Sequence, residues 1–288
     1  FFFKQKTAYE IVDCDWSSDV CSSDLRVCAR AVFVRSTKSM GGVTVLLKKN
    51  ARCGVLSPNA CMGVPNKPDA LGEPFMTSIT FYFDFISPYA YLAFEELPKH
   101  LMGISHRVVY QPIVFGAVLK HHGHMGPAEI PGKREWTYRQ VLWQAKQMGI
   151  PLDMPLAHPF NSLSLLRLAV ACSEDGAPNR YVCETIFRHV WHGGHEAEDV
   201  DRFAQLSDVL TPKRDLQDAH VKDQLKSNTE HAIAKGVFGV PTFEVDDKLF
   251  WGLDALPMMR QYIEKNSLFD EADWQSVESI KTGITRKR

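Results

Sequence analysis

The run ITFYFDF, Ile79 to Phe85, is apolar or aromatic at nearly every position and predicts a buried β-strand. Pro88 then opens an amphipathic run that predicts a helix ended by Pro98 and Gly103; the missing N–H of a proline costs nothing in a first helical turn. Ser87 falls at the N-cap. ISHRVVYQPIV, residues 104 to 114, alternates and is β-branched as a strand should be. One helix between two strands predicts a parallel βαβ crossover. Residues 115–210 carry helical periods without a strong strand signal. One helix is expected from Lys133 to Met148, stopping at Gly149 and Pro151; a second follows Asn161 and Ser162 through LSLLRLAVAC towards Gly176; a third spans Tyr181 to Trp191. A further helix from about Asp218 to Lys235 meets Gly236 as its stop. PTFEVDD and KLFWG then predict two short strands joined at Asp246-Asp247, with a closing helix from Asp254 to about Lys265. The pattern is that of an α/β domain interrupted by a helical subdomain at about 115–210. There is no internal repeat, and residues 266–288 read as a polar tail.

The beginning of the chain reads differently. DWSSDVCSSDL, residues 15 to 25, resembles an in-frame translation of a common sequencing-library adapter, and the Phe-rich start resembles a homopolymer read. A secretory signal needs a basic segment before an unbroken apolar core, and Asp13, Asp15 and Asp19 interrupt this one. Residues 1–25 are therefore expected to be an artefact. Residues 26–75 lack sustained periodicity and are expected to lie outside the native domain, 76–265, with Met76 as its natural start.

Composition narrows the classes. A net charge of −1 gives no electrostatic reason to expect nucleic acid or an anionic membrane as a partner. No apolar run reaches the roughly 18 residues of a membrane span, so a soluble, cytoplasmic protein is expected. Of seven cysteines, Cys172 and Cys183 alone follow Met76. They either pair or, without an extracellular context, stay as buried free thiols. His121, His122 and His124, and His189, His192 and His195, are close in sequence, but neither group has a Cys or carboxylate at a recognised metal spacing, so no metal is expected.

The chemistry gathers at FDFISPYAYLAF, residues 83 to 94. A helix N-terminus presents unpaired N–H groups and about half a positive charge, and the Ser87 hydroxyl adds a donor, so an anion such as a thiolate is favoured there. The bland alternative is a Ser-Pro that only caps a helix. Ser87-Pro88-Tyr89-Ala90 resembles the active turn of the thioredoxin superfamily, where redox members carry Cys-x-x-Cys. Having no thiol, it excludes disulfide exchange through a protein dithiol. Serine followed by proline and an aromatic residue resembles the 2-hydroxychromene-2-carboxylate isomerases and the kappa-class glutathione transferases, DsbA-like proteins in which the serine holds the thiol of glutathione. The resemblance spans about residues 79 to 264 and implies a thioredoxin-like fold.

That resemblance implies further site residues. Val240-Pro241-Thr242 resembles the cis-proline loop that faces the active turn, although trans is the statistical default for such a bond; with Pro241 cis, the N–H and C=O of Val240 would pair with the cysteinyl unit of glutathione as a miniature β-augmentation, which places both residues in the glutathione site. Trp251-Gly252-Leu253-Asp254 resembles the turn whose carboxylate takes the γ-glutamyl amine, which assigns Asp254, a residue equally suited to N-cap the last helix. GHMGPAEIPGKREW, residues 123 to 136, assigns Lys133 to the glutathione site, with His124 standing where asparagine is frequent. HPFNSLSLLR, residues 158 to 167, places Asn161 near the cleft or, alternatively, as a helix cap. VWHGGHEAED and Ala255 depart from the family pattern on the wall expected to meet substrate. The implied activity is a glutathione-dependent isomerase of a small aromatic substrate, 2-hydroxychromene-2-carboxylate or a relative, acting by thiolate addition and elimination. The alternatives are a kappa-type transferase and a non-catalytic thioredoxin-like binding module. A homodimer is expected by resemblance alone.

Overall fold

The computed structural model describes residues 76–284; the readings of residues 1–25 and 26–75 fall outside the described residues. Strand β1 (Thr77–Phe83) is followed by helix α1 (Pro88–His100) and strand β2 (His106–Pro112). β1 and β2 pair in parallel, Phe81 opposite Tyr110, which is the crossover expected from one intervening helix. Strands β3 (Thr242–Val245) and β4 (Lys248–Trp251) complete a four-stranded sheet in the order β2-β1-β3-β4, with β3 antiparallel to both neighbours. The β3–β4 hairpin turns at Asp246 and Asp247, both at positive φ (48° and 62°), as a two-residue turn requires. The strand expected over Ile79–Phe85 ends earlier, because Asp84 begins a turn.

Between the two halves of the sheet lie α2 (Phe115–His122), a 3-10 turn (Pro127–Glu129), α3 (Lys133–Met148), α4 (Leu163–Ala171), α5 (Arg180–Trp191), α6 (Val200–Leu210) and α7 (Ala219–Ala234). α3 keeps the bounds expected from its pattern, with Gly149 at φ 68° as its left-handed cap. α4 stops well short of Gly176. Arg214 Nη2 donates to Val170 O and Ser173 O, both at 2.7 Å, and so takes carbonyls that further helical turns would use. α8 (Leu256–Glu264) begins only after a 3-10 turn at Leu253–Ala255.

α1 runs through Pro98 instead of ending there. A proline at 98 cannot donate to the carbonyl of Phe94, four residues earlier. Arg180 of α5 supplies the missing donor, its Nη1 lying 3.3 Å from Phe94 O. The same guanidinium sits 4.1 Å from the centroid of the Phe94 ring, so its charge serves both the carbonyl and the ring face of one residue.

The core is largely aromatic. Phe81 of β1 stacks on Phe243 of β3 at 4.7 Å. Phe187 of α5, fully buried, meets Phe83 at 5.5 Å, Phe85 at 4.8 Å and Phe94 at 5.1 Å between ring centroids. One side chain of the helical block is thus packed against the sheet, the active turn and α1 together. The described part of residues 266–288 includes a 3-10 turn (Leu268–Asp270) and helix α9 (Ala272–Glu278). Leu268 is buried there, and Phe269 stacks on Tyr262 at 5.4 Å.

Phe187→Ala is expected to cost about 3–5 kcal/mol of stability, the range for truncating a core phenylalanine. Urea unfolding measures it; a loss below about 1 kcal/mol contradicts the hub role.

Candidate functional site

Ser87 sits at the N-cap of α1 with φ −89° and ψ 114°, and its Oγ accepts the N–H of Ala90 at 3.2 Å. Its hydroxyl proton points to the carbonyl of Val240, 3.4 Å away. That separation is long for an O–H···O bond, whose usual distance is about 2.7–2.8 Å, so a stronger acceptor can take the proton at small cost. The Val240–Pro241 bond is cis, in the form implied for this loop. The two segments, far apart in sequence, therefore meet at one cleft. Ile86, Pro88, Phe115, Ala128 and Val240 give it an apolar lining, in which Ser87, Tyr89, Glu129, Thr137 and His158 are the polar points.

The turn that presents Ser87 is tied at successive peptide groups. The Asp84 carboxylate accepts the Ile86 N–H at 3.1 Å and the Phe115 N–H at 2.9 Å, and the Asp84 carbonyl accepts the Ser87 N–H at 3.1 Å. Trp191 Nε1 donates to Phe85 O at 3.1 Å, and His158 Nε2 to Ile86 O at 2.8 Å. Asp84 is buried at 1% exposure. Burial pushes its carboxyl up to about 6, against hydrogen bonds from Ser162, Phe115, Ile86 and Phe85 that favour the charged form. Sequence reasoning passed over Asp84, although a lone carboxylate in an apolar run is a signal. It also passed over His158, whose segment drew notice only for Asn161.

The residues singled out from sequence separate into two groups. Ser87, Val240 and Pro241 come together, and Asp254, exposed in its 3-10 turn, lies close enough that its charge helps burial to raise the Tyr89 phenol. Asp254 does not cap the helix that follows it: Ala255 holds the N-cap of α8, without a side-chain bond. Lys133 is exposed at the first position of α3 and is not itself among the lining residues, although Thr137, one turn further along that helix, is. Asn161, also outside that lining, accepts the Leu163 N–H at 3.0 Å in a local turn just before α4, whose N-cap is Ser162.

No described cysteine supplies a nucleophile. Cys172 and Cys183 are free thiols, and burial pushes Cys172 up to about 11 and Cys183 upward as well. Three of the clustered histidines have hydrogen-bond partners: His122 with Val237 O at 3.2 Å, His189 with Ala197 O at 3.2 Å and His192 with the Tyr91 hydroxyl at 2.8 Å, while the His121 and His124 rings meet that of His122 at 4.9 Å and 5.9 Å. Among the described residues no three His, Cys, Asp or Glu side chains converge as metal ligands, and no helix is long and apolar enough to cross a membrane.

Residues 78–264 match the family model of the DSBA-like thioredoxin domain. The chain is 31% identical to a 2-hydroxychromene-2-carboxylate isomerase of Pseudomonas putida, over 63% of this chain and 91% of that protein. It is 27% identical to glutathione S-transferase kappa 2 of Caenorhabditis elegans, over 64% of this chain and 91% of that one. A solved 2-hydroxychromene-2-carboxylate isomerase superposes with a TM-score of 0.57 at 25% identity, covering 71% of this chain and all of the other.

The buried carboxylate makes stability depend on pH. Its native pKa, about 6, lies above the ordinary 3.8, so the charged form is destabilising above pH 6 and the native state gains as pH falls towards 4. Relative to Asp84→Asn, which cannot ionise, the wild type is expected to gain roughly 1–1.5 kcal/mol between about pH 8 and about pH 5. Paired urea titrations at the two pH values test this; a constant difference refutes it.

Proposed function

Because the chain belongs to the DSBA-like thioredoxin-domain family, among the 2-hydroxychromene-2-carboxylate isomerases and kappa-class glutathione transferases, we propose that it is a glutathione-dependent enzyme of small aromatic compounds. The reading is an isomerase of 2-hydroxychromene-2-carboxylate or a related intermediate of aromatic degradation, working in the cytoplasm. The observation that carries it is Ser87 Oγ, held by the Ala90 N–H at a helix N-terminus and poised across from Val240 O. This donor set fits an anionic sulfur, and the turn has no thiol of its own. Bound glutathione would supply a thiolate that adds to an unsaturated carbon and is later eliminated.

The chain's own residues have separate tasks. Ser87 donates its hydroxyl proton to the sulfur, and the α1 N-terminus favours the negative charge. Val240, before the cis proline, offers its backbone to an extended peptide, and Asp254 attracts an ammonium. The apolar wall of Ile86, Pro88 and Phe115 keeps water from the reacting atoms. The likeness to kappa transferase favours a second reading, in which the same site releases a conjugate. Product mass separates them: an isomer of unchanged mass supports the isomerase, a stable glutathione adduct the transferase.

Ser87→Ala is expected to stay folded, with a loss of about 1 kcal/mol from the missing cap. Its glutathione affinity should change little, the bound thiol should titrate at higher pH, and turnover at neutral pH should fall about 10²-fold or more. An unchanged thiol titration with full activity would reduce Ser87 to a helix cap. Asp254→Ala is expected to weaken glutathione binding by roughly 1.5–3 kcal/mol, the scale of a hydrogen bond to a charged group. Calorimetry measures it, and normal binding removes Asp254 from the site.

A further inference from the structure

The helical block reaches back into the active turn through His158. Its Nε2 lies 2.8 Å from the Ile86 carbonyl, and a carbonyl only accepts, so Nε2 carries a proton. Burial holds the imidazole below its ordinary pKa, against the pull of that carbonyl. In the neutral ring the proton on Nε2 leaves Nδ1 as an acceptor, and the Tyr138 hydroxyl of α3 stands 2.8 Å from it. Tyr138 OH also lies 2.9 Å from the carbonyl of His158 itself, so the single phenol proton is shared between two acceptors of one residue, the ring nitrogen and the backbone carbonyl. Ring contacts with Tyr138, at 5.4 Å, and Trp191, at 5.7 Å, hold the plane of the imidazole.

The peptide joining Ile86 to Ser87 is planar. Its carbonyl is bound by His158, and its N–H, that of Ser87, is bound to Asp84 O at 3.1 Å. Two bonds at opposite edges of one rigid unit set its orientation, and that unit sets where the Ser87 side chain leaves the backbone. We propose that His158, oriented by Tyr138, is a positioning residue that fixes the Ile86–Ser87 peptide and so aims Ser87 Oγ at a bound thiol. The proposal rests on the glutathione site argued above. His158 borders the cleft, but its ring nitrogens face the Ile86 carbonyl and the Tyr138 hydroxyl, so its action is assigned through the peptide it holds.

The test compares wild type with His158→Phe, His158→Gln and Tyr138→Phe, each titrated for the ultraviolet absorbance of the bound glutathione thiolate, with kcat and KM measured alongside. His158→Phe removes the donor and is expected to raise the bound-thiol midpoint by about half a unit to one unit and to lower kcat roughly three- to tenfold, the scale of one neutral hydrogen bond. KM for glutathione should move little. His158→Gln, which retains an N–H able to reach Ile86 O, should recover most of the loss, and Tyr138→Phe should shift the midpoint less and in the same direction. A folded His158→Phe with the wild-type midpoint overturns the proposal, as does a folded His158→Gln no better than phenylalanine. Should His158→Phe not fold, an unshifted Tyr138→Phe overturns it. A wild type that binds no glutathione brings down the functional reading and this proposal together, a result visible before any variant is made.

Discussion

A turn of four residues, Asp84 to Ser87, has to bend the chain out of a buried strand and into a helix while its peptide groups face protein instead of water. Each such group left unpaired would cost on the order of 1–3 kcal/mol. The Asp84 carboxylate meets two of the N–H groups gathered there, Ile86 and Phe115, and the indole of Trp191 and the imidazole of His158 meet two of the carbonyls. The cost of burying that carboxylate appears as its raised pKa. The cleft depends on this exchange, because the same bonds that satisfy the turn decide where Ser87 stands.

The partners of the turn come from distant parts of the chain. Phe115 begins α2, His158 precedes α4, Trp191 ends α5, and Val240 opens the loop before β3. The helical block is therefore more than a cover over a thioredoxin-like sheet, since Phe115, His158 and Trp191 supply three of the bonds that shape the turn before α1. Phe187 belongs to the same arrangement, its ring lying against Phe85 of the turn and Phe94 of the helix.

Much of this was legible in the sequence where local chemistry decides the outcome. The N-cap at Ser87, the span of α3 from Lys133 to Gly149, the two-residue turn at Asp246-Asp247 and the α/β class all follow from periodicity, capping and turn residues. What escaped was decided by partners remote in sequence. Nothing near Pro98 announces that Arg180 will support the helix through it, and nothing near Ala171 announces that Arg214 will close α4 early. Asp84 stands out in sequence only as a lone carboxylate in an apolar run, and neither it nor His158 has its role written nearby, because the groups they satisfy are chiefly backbone atoms, which carry no sequence signature. The motif resemblance singled out Ser87 and Val240, which line one cleft; Pro241, Asp254, Lys133 and Asn161 are not among its lining residues.

The proline within α1 also bears on the order in which the molecule assembles. The last turn of that helix has a carbonyl, Phe94 O, with no donor in its own segment, and its donor lies 86 residues onward. Closing so long a loop carries an entropic cost that local helix formation does not repay. The turns of α1 draw on neighbouring residues, Leu101 N–H reaching Leu97 O at 3.1 Å, but the Phe94 carbonyl gains its protein donor only when α5 has docked. One carbonyl thus ties a locally formed helix to a contact made far along the chain.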